Sequence, residues 1–520
     1  MSVRALVIGM TGGCLETLRR WAAIGWMPNL DYLFRKGSHG RFPGLVPPLP
    51  VAEWATLLTG KHPGHTGLTH ALKKQPGSYF LERAHLSFSR AEPFWSALDR
   101  ADQRTVLVNI PFPAEPLPIN GLVVSPEGVF AHRAINAPDI ERTLRRIHAR
   151  LGSSSGKKGG DPASPKDPFD FLDRRIGGAI QQGTVIRDLL GSKSWDLAIV
   201  NFSGVDRVLS RFYAEIHHVR EKGPETPLSD LILTYFKVLD DAIGQVVQTL
   251  EKEGLAIMIS GHEIGDLEKC FSLNHYLKER GDLSFRMGRD GRSTLSRYVS
   301  PLIRALGIRR HSLKNVLEAV GSASLADCLA LPFSEDLGIF DWKKTRAFSL
   351  ESHAIRINLK GRETMGSVSE GAEYRQVGEE IIAGLRAIRD PDTGSSVVSD
   401  VRWTEEIYDG PRLSDLPDLV ITDWNPRYSI PDFENVREQN DVFFTPSDRT
   451  GAVRKEGFSL VMGPGIPKGV PMQEPFSLLH VAPAVLSFLG FAVPPAMERP
   501  PFPESSGTRS TDPENSTVQG

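Results

Sequence analysis

Short apolar runs recur along this chain at ALVIG (5–9), TVLVNI (105–110), DLAIVNF (196–202), LAIMIS (255–260), DLVIT (418–422) and FSLVMG (458–463), each flanked by helical periodicity. Runs of this length suit strands covered on both faces, and their alternation with helices predicts an α/β fold built on a mostly parallel sheet between helical layers. The helix before LAIMIS is the clearest: Ile232, Tyr235, Phe236, Leu239, Ile243, Val246, Val247 and Leu250 form one stripe, and Gly254 stands where a C-terminal cap belongs.

At 520 residues the chain is long for one compact domain. The expected organisation is an α/β core in two parts, 1–266 and 343–499, with 267–342 inserted as a mainly helical cap. The stretch at about 152–168, GSSSGKKGGDPASPKDP, reads as a loop insertion, and 500–520 reads as a disordered tail. Within the cap a basic run from Arg286 to Lys314 meets a single local acid, Asp290. It is either a solvated face or a surface for phosphorylated or acidic partners.

A net charge of -2 and 24% charged residues make no electrostatic case for nucleic acid as the main partner. The three cysteines, Cys14, Cys270 and Cys328, have neither disulfide-framework nor zinc-site spacing. The start, MSVRALVIGM, lacks the parts of a signal peptide, and no apolar run reaches membrane-spanning length. The expectation is a cytoplasmic protein without a membrane span.

Ligands of open α/β sheets gather at the carboxyl ends of the strands. Four segments there merit a chemical reading. RALVIGMTGG (4–13) bends at Thr11, a hydroxyl where a metal enzyme often carries an acid. PPLPVAEWATLLTGKHPGHTG (47–67) is an extended lead-in, a helix from roughly Glu53, and a Gly/Pro exit. NFSGVDRVLSRFY (201–213) holds Asp206, and ISGHEIGDLEK (259–269) holds His262 and Glu263. An acid and a histidine at neighbouring strand ends could share a metal.

These segments resemble the alkaline phosphatase superfamily, in its type I phosphodiesterase/nucleotide pyrophosphatase-like branch (phosphohydrolase/phosphomutase type). MPNLDYLFRKGSHGRF, WATLLTGKHPGHTG, TVLVNIPFPAEP, WDLAIVNFSGVDRV, FSLNHYLKERG, PDLVITDW, MGPGIPKG and HVAPAVLSFLG follow in family order, from Val3 to Leu489. The resemblance implies an alkaline phosphatase-like core with the cap inserted after the strand leading to His262. It also implies two divalent metals and a Thr or Ser nucleophile that is itself a ligand, since paired cations neutralise phosphoryl oxygens and acidify the attacking hydroxyl.

Carried over residue by residue, that ligand set mostly fails. The first Asp falls on Thr11 and the nucleophile, four residues before Trp54, on Pro50. Asp206 is retained, and the His after it is Ser210. The Asp-His pair reads Gly261-His262, and the final His falls on Val453 in TGAVRKEG. Neutral side chains at these positions do not hold hard cations. One reading is therefore a pseudoenzyme that acts by ligand binding, scaffolding or regulation. Its partner is a protein or an anionic, phosphorylated small molecule.

The alternative is a divergent hydrolase or transferase with a rebuilt site around Asp206 and His262, drawing on Glu53, Glu263 and Asp448 as acid-base groups or ligands. Thr11 is a candidate replacement nucleophile without an evident base. No cofactor is expected, or at most a single zinc or manganese ion. A local shift of the alignment, hiding true ligands, also stays open, above all at Val453. His62, His65, His217 and His218 read as surface or helix-end histidines, and Cys14 as a buried small hydrophobe.

Overall fold

The computed structural model describes residues 2–74, 79, 81–84, 86–89, 91–111, 119–125, 128–132, 167–285, 337–432 and 441–502. The basic run Arg286 to Lys314, Cys328, most of the loop at 152–168 and the tail from 503 onward lie outside the described residues, as does the expected helical content of 286–336.

The main sheet has nine strands, numbered here within it: β1 Val3–Gly9, β2 Ser38–Pro43, β3 Thr105–Val108, β4 Gly121–Ser125, β5 Gly128–His132, β6 Trp195–Asn201, β7 Leu250–Ser260, β8 Glu456–Met462 and β9 Val470–Pro471. Their spatial order is β9-β2-β8-β7-β1-β6-β3-β4-β5. The strands from β7 to β4 are mutually parallel, whereas β8 runs antiparallel to both its neighbours and β5 antiparallel to β4.

Both faces are covered, as the apolar runs require. Along β1, Leu6 and Ile8 point into one core with helices α1 (Leu15–Ala23), α2 (Pro28–Lys36), α4 (Pro168–Leu190), α5 (Val205–Lys222) and α6 (Pro227–Val247). Ala5 and Val7 point into the other, against α3 (Pro50–Thr59) and α9 (Val481–Phe488). The period of two along a strand thus feeds two separate cores from one sequence run. Among the described residues no helix is long and apolar enough to cross a membrane.

Two local expectations change. The run at 418–422 does not join the main sheet: Leu419–Trp424 pairs antiparallel with Ala354–Ile357 and with Val398–Trp403 in a separate four-stranded sheet, backed by α8 (Ala372–Ala387) over a third core. Gly254 is not a helix cap either. The helix stops at Val247, β7 starts at Leu250, and the register against β1 slips so that Val3 faces Leu250 while Ala5 faces Leu255. Gly254 closes that bulge, where a Cβ would lie 3.0 Å from the Arg4 carbonyl. Of the expected cap, Lys269–Phe271 forms a short strand and Leu273–Glu279 a short helix, α7.

Helix α2 begins without a capping side chain of its own, since Met27 precedes it. Asp240 of α6 caps it from outside: its carboxylate accepts from the Asn29 amide (3.0 Å), the Asn29 side chain (2.9 Å) and the Leu30 amide (2.8 Å). Asp240 is 1% exposed, so no water replaces those bonds. Asp240→Ala is expected to cost about 3 kcal/mol of stability, read from the urea midpoint, because it strands buried amides. A loss under about 1 kcal/mol would show that the cap is not what seats α2.

Candidate active site

The rim of the site forms where the turns after β1 and β7 meet. Gly12 bridges Glu263, and the Ile264 amide donates to the Gly12 carbonyl at 3.2 Å. Thr11, His262 and Glu263 therefore share one end of the sheet. Helix α3 enters from the opposite face. It starts at Pro50, earlier than the expected Glu53, because proline at the first helical position supplies the right φ and lacks an N–H the helix leaves unpaired anyway. Glu53 then lies at the end of the first turn, its amide bonded to the Leu49 carbonyl at 3.1 Å. The Trp54 ring lies over Gly9, and its Nε1 reaches Thr11 Oγ1 at 3.5 Å.

Glu53 and His262, 209 residues apart in sequence, meet at 2.8 Å between Oε1 and Nδ1. Each is only 3% exposed, so the pair is sealed from water. The carboxylate occupies the space above Gly261: a Cβ there would stand 2.2 Å from Glu53 Cδ and 2.4 Å from Oε2. A side chain at 261 would force the Glu53 carboxylate out of the place it holds here. Burial opposes charge on the His262 ring. The charge and hydrogen bond of Glu53, with Asp206 adding to them, outweigh it and raise the imidazole pKa above its ordinary value.

Asp206 sits half-buried in the first turn of α5, packed so closely on the Gly12 turn that a Cβ on Gly12 would come within 2.9 Å of its Cα. It also raises the pKa of the Tyr235 hydroxyl, second to burial. One turn further, the Ser210 carbonyl accepts from the Thr450 amide at 3.0 Å. Val453 stands opposite Ile264 in a two-stranded ribbon, Ile264–Asp266 with Gly451–Val453. Pro50 and Thr11 are half-buried.

Glu263 turns away from this group. It forms a bidentate pair with Arg41 at 3.0 and 3.1 Å, and burial raises its pKa despite that partner. Asp448 is exposed and acts electrostatically on Cys270, away from Glu53 and His262. The structure thus gathers Glu53, His262 and Asp206, sets Thr11 beside Trp54, and leaves Glu263 and Asp448 in other company.

Asn201, at the end of β6, opens the segment NFSGVDRVLSRFY but is not among the site residues expected from the sequence. Its Nδ2 donates to the Asn109 carbonyl at 3.1 Å, but its Oδ1 and the neighbouring helix's Thr56 Oγ1 are buried without a hydrogen-bond partner among the described residues. The available signal was an amide ending an otherwise apolar run. Among the described residues, the one set of three His, Cys, Asp or Glu ligand atoms lying within 4.8 Å of one another is His62, His65 and Asp409. Glu53, His262 and Asp206 do not form such a set.

The sequence pattern of type I phosphodiesterases/nucleotide pyrophosphatases matches residues 5–440. The chain belongs to this family. Thr11, Pro50, Asp206, Ser210, Gly261 and His262 fall inside the matched residues, and Val453 falls beyond them. The phosphonoacetate hydrolase of Sinorhizobium meliloti 1021, solved with phosphonoacetate, is 13% identical and superposes with a TM-score of 0.52, over 94% of this chain and 95% of that one. Human ectonucleotide pyrophosphatase/phosphodiesterase 5 is 12% identical, with a TM-score of 0.47 over 95% of this chain and 96% of that one. At such identity the hydrolase likeness shows the fold. No curated protein sequence matches the chain.

Because the His262 pKa is raised in the folded protein, its pairing with Glu53 stabilises most below the ordinary imidazole pKa. That contribution is lost as pH rises through the folded value. The stability advantage of wild type over Glu53→Gln should therefore shrink as pH rises above the ordinary imidazole pKa of about 6.5 in urea titrations. An advantage that holds constant or grows over that range would contradict the charged pairing.

Proposed function

We propose that this family member is a pseudoenzyme, which binds an anionic, phosphorylated small molecule through the family fold without hydrolysing it by the two-metal route. The observation that carries the reading is the Glu53 carboxylate lodged above Gly261 and held on His262 Nδ1. The resemblance to the family implies a carboxylate ligand at 261 and a histidine ligand at 262. Among the described residues, the carboxylate in that space arrives from α3, buried and already engaged.

The remaining aligned positions fit two divalent cations poorly. Pro50 offers no hydroxyl to attack phosphorus, and Val453 and Gly261 offer no donor atom in their side chains. What the residues do offer a ligand is polar: the Thr11 hydroxyl can donate to a phosphoryl oxygen, and the half-buried Asp206 carboxylate can accept from a hydroxyl or N–H group elsewhere on the ligand. The bound phosphonoacetate of the bacterial hydrolase is the precedent for the ligand class, carried here without its chemistry. A cytoplasmic location belongs to the same reading and is supported by the free, buried thiols of Cys14 and Cys270.

A second reading draws on the same pair. A histidine whose pKa is raised by a buried glutamate, near Asp206, is equipped as a general acid, and a divergent hydrolase or transferase could use it. Assays of bis(p-nitrophenyl) phosphate and p-nitrophenyl phosphate with zinc or manganese present separate the two. The pseudoenzyme reading expects no turnover distinguishable from that of Asp206→Asn. Turnover abolished by Asp206→Asn or Glu53→Gln would overturn it in favour of the rebuilt enzyme.

A further inference from the structure

The exit of α3 carries a second constellation that shares no residue with the strand-end site. His62 caps a single helical turn, Pro63–Thr66, and His65 lies three residues on, their rings in edge contact with centroids 4.7 Å apart. Facing them is Asp409, in the loop that joins the strands Val398–Trp403 and Leu419–Trp424 of the smaller sheet. His62 Nε2 lies 2.8 Å from Asp409 Oδ1, and His65 Nδ1 lies 4.0 Å from the same oxygen. At that distance His65 Nδ1 makes no hydrogen bond, and it is buried and unpartnered among the described residues.

The two loops are built to meet here. The Arg412 amide donates to the Gly64 carbonyl at 2.9 Å, and the Tyr408 ring stacks on His62. Gly410 has φ +114°, and a Cβ there would stand 2.9 Å from His65 Nδ1 and 2.7 Å from the Gly64 carbonyl. Only glycine lets the loop bring Asp409 over both histidines.

We propose that His62, His65 and Asp409 bind one borderline divalent cation of the zinc type, clipping the exit of α3 to the smaller sheet. Two imidazoles and a carboxylate suit such a cation, and ligands at about 2.0–2.2 Å from one ion stand roughly 3–4 Å apart, close to the separations above. His62 Nδ1 accepts the Gly64 amide at 3.2 Å, so the neutral ring keeps its proton on Nε2. A cation at Nε2 moves that proton to Nδ1 and gives up the Gly64 contact. Asp409 is exposed, so water completes the coordination.

Binding a cation only in the folded state raises stability with its concentration. Cobalt(II) titration of the full chain, followed by its visible absorption band, tests the site, with zinc-dependent melting as the second readout. The expected result is a saturable band at one equivalent, weakened about tenfold or more in both His65→Ala and Asp409→Asn, and unchanged in His218→Ala. Both substituted residues are solvent-accessible, so folding should survive, and far-UV circular dichroism checks it. No saturable band, or a band that neither substitution weakens, overturns the proposal. A band lost instead in Asp206→Asn places the cation at the strand ends and overturns both this site and the pseudoenzyme reading. Phosphodiester turnover alone leaves this proposal standing.

Discussion

The buried hydrogen bond between Glu53 and His262 sets the character of this protein's strand-end site, because it brings together two groups that each need the other. An isolated carboxylate at 3% exposure would carry a large desolvation penalty, and a neutral histidine in its place would leave a ring nitrogen unpaired. Paired, they satisfy one another and push the imidazole toward its charged form. The arrangement requires Gly261, since any side chain there would collide with the carboxylate. A glycine in the strand turn and a glutamate on the helix are thus one structural choice made at two distant positions.

The fold delivers these residues from opposite sides of the sheet. β1 supplies both cores and ends in a glycine turn that is stitched to the turn after β7, which fixes His262 beside Thr11. α3 lies on the far face, and its proline start sets the phase that aims Glu53 inward, away from solvent. The same helix ends in a glycine of left-handed conformation, and its exit loop docks on the smaller sheet. One helix therefore links the strand-end site at its beginning with the histidine and aspartate cluster at its end.

Much of the architecture was legible in the sequence because the main strands are buried on both faces and read as unbroken apolar runs. The run at 418–422 looks the same, yet it belongs to another sheet, since apolarity reports burial and not the identity of the neighbouring strand. Gly254 resembled a cap because its conformational role, closing a bulge, leaves no distinct trace in one dimension. At the site, Gly261 was legible as a missing carboxylate, and Glu53 as a spare acid-base group or ligand. Their common cause was not legible, because it depends on which way a helix turn faces across 209 residues of chain. His62 and His65 looked like helix-end residues for a similar reason: Asp409 is supplied by a distant loop that only the packing of the two sheets brings near.

On the proposed reading, the strand-end site is filled by its own glutamate and does not hold the family's paired cations. The most direct measurement is the metal content of the His65→Ala, Asp409→Asn double variant after incubation with zinc and manganese and gel filtration, which reads the strand-end site alone. Far less than one ion per chain is expected. One or two tightly held ions, lost on adding Asp206→Asn, would contradict it.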